Sequence, residues 1–310
     1  MTPDDPAGRP AAGGAVTLVH AACCRLQGSP VQPVWDEIRA LAPDALLLLG
    51  DTVYLERDDH DEPAALAADL RERLARQLAE PHFAALRADL RRRGAPLLAV
   101  YDDHDFLGDN RCGADVAPAL REAARAAFVD AWRDPTDPAP PAGALWSSHT
   151  IGPVRVLMTD QRYHRRAAAA SARDADAILG AEQWAWLEGE LARHDTPFLV
   201  FASPTTFHAW RGESWEAYPA AFARLRAMLA RRPGALVVAG DLHANGLYDD
   251  SGVVEVVSSG IARRGRVYGV ERRNYGVLRF DGERLHVSLR SDTPGHRFET
   301  ELSLADWRLA

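Results

Sequence analysis

The sequence predicts an α/β fold. Short apolar runs alternate with helix-patterned stretches, several runs close on Gly-Asp or acid-rich clusters, and the C-terminal stretch turns to strand-like segments. Strands alternating with helices imply βαβ units, to which the tail adds antiparallel strands. No internal repeat and no clean boundary interrupts this pattern, so one domain over residues 15–310 is expected behind a lead-in at residues 1–14.

The first run, Val16-Thr17-Leu18-Val19-His20-Ala21-Ala22, is rich in β-branched residues and ends in Cys23-Cys24-Arg25. Gly28, Pro30 and Pro33 punctuate the adjoining loop, and residues 35–41 have helical spacing. Ala45-Leu46-Leu47-Leu48-Leu49 is a continuous apolar run, as a strand buried on both faces requires, and Gly50-Asp51 closes it. Residues 63–93 read as one helical stretch. Pro96-Leu97-Leu98-Ala99-Val100 is a second buried strand, followed at once by Tyr101-Asp102-Asp103-His104-Asp105. A helix over 117–132 and a Pro-rich loop over 134–143 come next. Val154-Arg155-Val156-Leu157-Met158 is a strand ending in Thr159-Asp160-Gln161-Arg162, and residues 180–194 form an amphipathic helix. A strand over 198–202 and a helix over 218–229 lead to Ala235-Leu236-Val237-Val238-Ala239, closed by Gly240-Asp241-Leu242-His243. Strands over 253–257, 275–280 and 285–289 finish the chain, the last two joined at Asp281-Gly282.

Composition narrows the function classes. The 310 residues carry a formal net charge of -8, which offers no long-range attraction for nucleic acid or an anionic membrane. Three cysteines are too few for a disulfide framework. No apolar run reaches the ~20 residues of a membrane helix. Residues 1–14 have neither a basic start nor an apolar stretch, so a cytoplasmic protein is expected.

The chemistry lies in the repetition of one feature. Cys23-Cys24, Gly50-Asp51, Asp102-Asp103-His104-Asp105, Asp160-Gln161-Arg162 and Gly240-Asp241-Leu242-His243 all come directly after separate apolar strands. In open α/β sheets the site lies beyond the carboxyl ends of the strands, so these residues converge there. A lone Gly-Asp is ordinarily a turn. Three acids around one His after an apolar strand repel each other without a counter-ion, and a bound cation removes that penalty.

The order of these motifs resembles the PhoD-type alkaline phosphatases (alkaline phosphatase D) and related PhoD-like phosphodiesterases, within the calcineurin-like metallophosphoesterases. The matching residues are Gly50-Asp51-Thr52-Val53-Tyr54, Asp102-Asp103-His104-Asp105 with Asn110, Asp160-Gln161-Arg162-Tyr163-His164-Arg165, and Gly240-Asp241-Leu242-His243. Ile178-Leu179-Gly180-Ala181-Glu182-Gln183-Trp184 agrees as well, and Ala22-Cys23-Cys24-Arg25 stands in place of the family's Ser-Cys segment. The separate N-terminal β-sandwich and twin-arginine export signal of many members are missing from this sequence, and the Asn110 loop differs in spacing, which leaves Asp109 as an alternative to Asn110.

The resemblance implies a four-layer α-β-β-α sandwich of mixed sheets and a phosphoesterase that hydrolyses phosphomonoesters or phosphodiesters with metal-activated water. It implies that Asp51 bridges two metal ions. Tyr54 and Cys24 would bind Fe(3+), with His243 or Asp241 completing that shell. Asn110 and the other member of the Asp241/His243 pair would bind Ca(2+) or another divalent ion. Cys24 is preferred to Cys23 because it directly precedes Arg25. Arg162 is the candidate phosphate clamp, with a structural ion pair to a neighbouring Asp as the alternative. His104 is the candidate for orienting or protonating the leaving group. Trp210 and Trp215 are candidates for a pocket wall or a covered aromatic patch. The partner is a small phosphoester. The competing reading is a non-catalytic, metal-stabilised binding or sensor protein on the same fold, against which stand the retained Asp51, Asp241, His243 and Arg162.

Overall fold

A computed structural model describes residues 14–56, 60–132, 143, 145–207, 213–249, 252–262, 273–292, 295 and 297–309. The expected lead-in, apart from Gly14, lies outside these residues, as do Trp210 and most of the Pro-rich stretch. The strands in chain order are β1 (Val16–Ala21), β2 (Ala45–Leu49), β3 (Leu97–Val100), β4 (Ser147–Ile151), β5 (Val154–Met158), β6 (Phe198–Ser203), β7 (Ala235–Ala239), β8 (Gly246–Tyr248), β9 (Val254–Val257), β10 (Asn274–Asp281), β11 (Arg284–Ser291) and β12 (Phe298–Ser303). The α-helices are α1 (Val34–Ala40), α2 (Pro63–Leu78), α3 (Pro81–Arg93), α4 (Pro118–Trp132), α5 (Gly180–Leu191) and α6 (Pro219–Leu229).

The strands form two six-stranded mixed sheets, ordered β12-β11-β10-β1-β2-β3 and β4-β5-β6-β7-β9-β8. Strands β1, β2 and β3 run parallel, as do β5, β6, β7 and β9. The tail strands β10, β11 and β12 extend the first sheet, with β10 antiparallel to β1 and each later strand antiparallel to the one before it. One apolar cluster joins Leu18, Leu47, Leu278 and Val287 of the first sheet to Val156, Val200, Val238 and Val256 of the second, so the sheets pack face to face. Val19 and Leu48 face the opposite way, onto Trp35, Ile38, Phe83 and Leu86 of α1 and α3. Leu199, Phe201 and Val237 pack against Trp184, Leu187 and Leu225 of α5 and α6. The result is the expected four-layer α-β-β-α sandwich. It accounts for the continuous apolar strands, because both faces of each central strand are covered.

Several elements depart from expectation. The helical stretch over 63–93 is two helices, because Pro81 has no N–H to continue the first and the Glu80 carboxylate accepts from Phe83 N at 2.7 Å to start the second. Strand β9, expected to be antiparallel, pairs parallel with β7. The polar edge strand β4 and the short β8 lack a readable apolar period.

Candidate metal centre

The parallel strands of both sheets end on the same side, and their outgoing loops meet there. The tips of β1 and β2 stay tied, with Cys23 N donating to Gly50 O at 3.3 Å and Cys24 N to Asp51 O at 2.9 Å. Glycine lets the loops approach. A Cβ at Gly50, whose φ is +84°, would lie 2.4 Å from Asp102 Cβ, and one at Gly240 would lie 2.6 Å from Leu49 O.

Backbone strain concentrates here. Seven described non-glycine residues have left-handed φ, and six of them are Cys23, Arg25, Asp51, Asn110, Asp241 and His243. Such conformations cost on the order of 1 kcal/mol or more each and persist where surrounding structure imposes them, commonly at functional sites.

Two ligand groups share Asp51. Ligand atoms of Cys23, Asp51 and His243 lie within 4.8 Å of one another, and so do those of Asp51, Asp103 and His104. Cys23 Sγ lies 3.6 Å from Asp51 Oδ2, and the Tyr54 hydroxyl lies 3.4 Å from His243 Nε2. Asp51 Oδ1 and Asp102 Oδ2 are buried without a hydrogen-bond partner. Burial pushes the Asp51 carboxyl well up, and Asp103, Asp102, Asp105 and Asp241 add to the effect. Orphaned carboxylate oxygens in a knot of like charges are the arrangement a cation would satisfy, so these residues fit a bound metal. The donors include a thiol, a phenol, an imidazole and carboxylates, which suits a transition metal beside a harder ion.

The backbone brings Cys23, rather than Cys24, next to Asp51 and His243. Strict alternation from Leu18 through Ala22 would turn Cys23 toward the helices and Cys24 toward the centre. Cys23 instead has φ 57°, which breaks the alternation at the strand end. Ala22 and Cys23 both join the cluster between the sheets, and Cys24 joins Val34, Trp35 and Phe83 on the helix side. Without a metal, burial pushes the Cys24 thiol well up, with Asp105 and Asp51 adding to it, and its neighbours on the helix side are apolar. Cys23→Ser is therefore expected to lower bound metal per chain at least tenfold in a competition with chelator, as loss of a direct ligand does, whereas Cys24→Ser leaves it within about twofold. Elemental analysis after dialysis checks both. Equal loss in the two variants would restore Cys24 as a ligand.

The remaining predicted residues occupy distinct places. Asp103 accepts from His104 N at 2.9 Å and Asn110 N at 2.7 Å. Burial opposes its charge, but Arg162 and His104 outweigh that and hold it well below the usual carboxylate range. Asn110 Nδ2 lies 3.5 Å from Asp109 Oδ1, so its amide is oriented within the same loop. Burial, then Asp102 and Asp103, raise Asp241. The His104 ring lies tilted by 33° against Tyr54 with centroids 4.2 Å apart, and its Nδ1 lies 2.6 Å from Leu55 O. A carbonyl only accepts, so Nδ1 carries the proton, and Nε2 lies 3.7 Å from Asp109 Oδ1.

Arg162 makes the ion pair with a neighbouring Asp that the sequence set as one alternative, and its terminal nitrogens are left over from it. Its Nε donates to Asp102, while Nη1 and Nη2 are buried without hydrogen-bond partners. Asp160, counted among the ligand clusters, is structural: it accepts from Leu145 N at 2.7 Å and from Arg162 N and Tyr163 N at 3.0 Å each. Asp105 likewise ties loops, accepting from Thr52 N at 2.9 Å and Asp102 N at 2.7 Å. Trp215 is no pocket wall; it is buried, its indole donating to Gln161 Oε1 at 3.2 Å. Cys23 and Asp103 lie inside the motifs but without an expected ligand role, and Glu213, 3.5 Å from Arg162 Nη1, lies outside them.

The fold is similar to the solved structure of PhoD, with a TM-score of 0.74 at 18% identity, covering 97% of this chain and 73% of that one. It is also similar to GAP50, the anchor in the inner membrane complex of Plasmodium, with a TM-score of 0.53 at 11% identity, covering 93% of this chain and 89% of that one. Comparison with curated proteins finds no match. Among the described residues no helix is long and apolar enough to cross a membrane. The sequence matches the PhoD-like phosphatase family over residues 18–276, and with the motif order now assembled at the ends of the parallel strands, the chain belongs to that family.

Proposed function

We propose that this protein is a metal-dependent hydrolase of small phosphomonoesters or phosphodiesters. The observation that carries the reading is the pair of buried ligand groups sharing Asp51. Cys23, Tyr54, His243 and Asp51 would hold the first ion, for which ferric iron suits the thiolate and phenolate. Asp51, Asn110 and Asp241, with Asp103 beside them, would hold a second, harder ion such as calcium. When bound, such ions polarise phosphoryl oxygens and acidify water.

The chain's own residues supply the rest. Arg162 presents buried Nη1 and Nη2 donors toward Asp103 and Glu213, next to the ligand groups, and these are proposed to take phosphoryl oxygens. With Nδ1 held by Leu55 O, His104 offers Nε2 to protonate or orient the leaving oxygen. The knot of buried carboxylates disfavours apolar ligands and selects for cations.

The test is hydrolysis of 4-nitrophenyl phosphate and bis(4-nitrophenyl) phosphate by protein loaded with iron and calcium, against chelated protein. Turnover that is lost on chelation and restored by metal is the expected result. Metal binding without turnover of either ester would favour the binding or sensor reading. Colour tests the iron assignment separately. Charge donation from Tyr54 and Cys23 into ferric iron gives a visible band, which Tyr54→Phe is expected to remove or shift while the far-ultraviolet spectrum stays unchanged. A colourless, fully active enzyme holding only zinc or manganese would remove iron and leave the hydrolase reading standing.

A further inference from the structure

Arg162 and Arg165 are both fully buried, and a single carboxylate sits against the pair. Glu213 Oε2 lies 3.5 Å from Arg162 Nη1 and 3.2 Å from Arg165 Nη2. Arg165 is otherwise satisfied, donating to the Tyr218 hydroxyl and to Thr205 Oγ1 at 2.9 Å each. Arg162 is not: apart from its Nε bond to Asp102, its terminal nitrogens lack hydrogen-bond partners. Glu213 is held in place from its C-terminal side, where Trp215 N donates to Thr206 O at 2.9 Å. Its side chain keeps 27% exposure, so this carboxylate is the solvent-side neighbour of two arginines that have none. Its negative charge also reaches Asp241, where it adds to the effect of burial, Asp102 and Asp103.

A phosphoryl oxygen that reaches Arg162 Nη1 must displace the Glu213 carboxylate or lie beside it. Either way, anion meets anion, and the penalty grows with the charge on the phosphate. A monoester or inorganic phosphate brings nearly two negative charges at alkaline pH, whereas a diester brings one. We propose that Glu213 is a specificity-determining residue that lowers the affinity of the site for doubly charged phosphate groups relative to singly charged ones. The inference rests on the phosphoesterase reading for its consequence in turnover, and on the geometry around Arg162 alone for its consequence in binding.

The experiment compares wild type with Glu213→Gln, which keeps shape and removes charge, and Glu213→Asp, which keeps charge. The ratio of kcat/KM for 4-nitrophenyl phosphate to that for bis(4-nitrophenyl) phosphate is expected to rise roughly tenfold in the Gln variant and to stay within about threefold in the Asp variant. Inhibition by inorganic phosphate is expected to tighten in the Gln variant by a similar factor. An unchanged ratio in the Gln variant overturns the proposal, and so does an Asp variant that shifts as far as Gln, since shape would then be the cause. Calorimetric binding of inorganic phosphate and dimethyl phosphate to the metal-loaded proteins reads the same discrimination without turnover. A wild type inert toward both esters defeats the hydrolase reading, while this binding comparison still decides the role of Glu213: selective tightening of phosphate supports it, and equal affinities in wild type and Gln variant overturn it.

Discussion

Asp51→Asn is expected to cut phosphoester turnover by more than tenfold and to loosen metal binding, while the chain stays folded. Asp51 belongs to both ligand groups, so one substitution weakens both proposed ion sites. The loss of a direct ligand is expected to remove several kcal/mol (on the order of 3) of transition-state stabilisation. The amide is isosteric with the carboxylate, and the residue's backbone is tied by the bond from Cys24 N, so the fold has no reason to change. The substitution also removes the proton that the metal-free fold must hold on Asp51, whose charge is opposed by burial first and then by Asp103, Asp102, Asp105 and Asp241. Metal-free Asn protein is therefore expected to melt higher than metal-free wild type, with the order reversed when metal is bound. Retention of more than roughly a tenth of the wild-type rate would count against a bridging role.

Much of the architecture was legible because the central strands are apolar throughout and closed by Gly-Asp or acid-rich clusters. Ala45-Leu46-Leu47-Leu48-Leu49 and Ala235-Leu236-Val237-Val238-Ala239 are buried on both faces, and a sequence without alternation is what such a position selects. Peripheral pieces were harder. Ser147–Ile151 is polar at the sheet edge, where packing places little demand on side chains. The break between α2 and α3 rests on one Pro and a Glu cap inside an otherwise helical composition.

The motifs point to the candidate site, and the geometry differs from strand alternation at one register. Adjacent strand residues face opposite ways, and choosing Cys24 for the centre obeys that rule. The left-handed backbone at Cys23 overrides it. No periodicity announces such a turn, because it is imposed by the loop that must bring Cys23 to Asp51. Glu213 had no signal either. Its importance comes from contact with Arg162 and Arg165, which are 51 and 48 residues away in sequence. Asp160 shows the converse error, since an acid at a strand end can be fully used by backbone N–H groups.

Stripping the metals is expected to destabilise the protein increasingly as pH rises from about 4 to about 8. In the metal-free fold, burial with Asp102 and Asp103 pushes Asp241 up to about 8. Burial also pushes Asp105 up to about 7, against the hydrogen bonds it accepts, and raises Asp51. An unfolded carboxylate titrates near 3.9. Between these values the folded chain holds protons that the unfolded chain has released, so stability falls as pH rises through the folded values. This contribution is fully present below about pH 4 and lost above about 8. Asp103, held below its ordinary range, acts in the opposite sense, but only in more acid solution outside this window. Bound cations keep the same carboxylates ionised and neutralised, which removes the dependence from the loaded protein. The gap in Tm between loaded and chelated protein should therefore widen by at least about 5 °C across that range, a few kcal/mol for a chain of this size. Thermal melts at matched ionic strength read it directly. A gap that stays constant or narrows with rising pH would show that these carboxylates are not the groups neutralised by the metals.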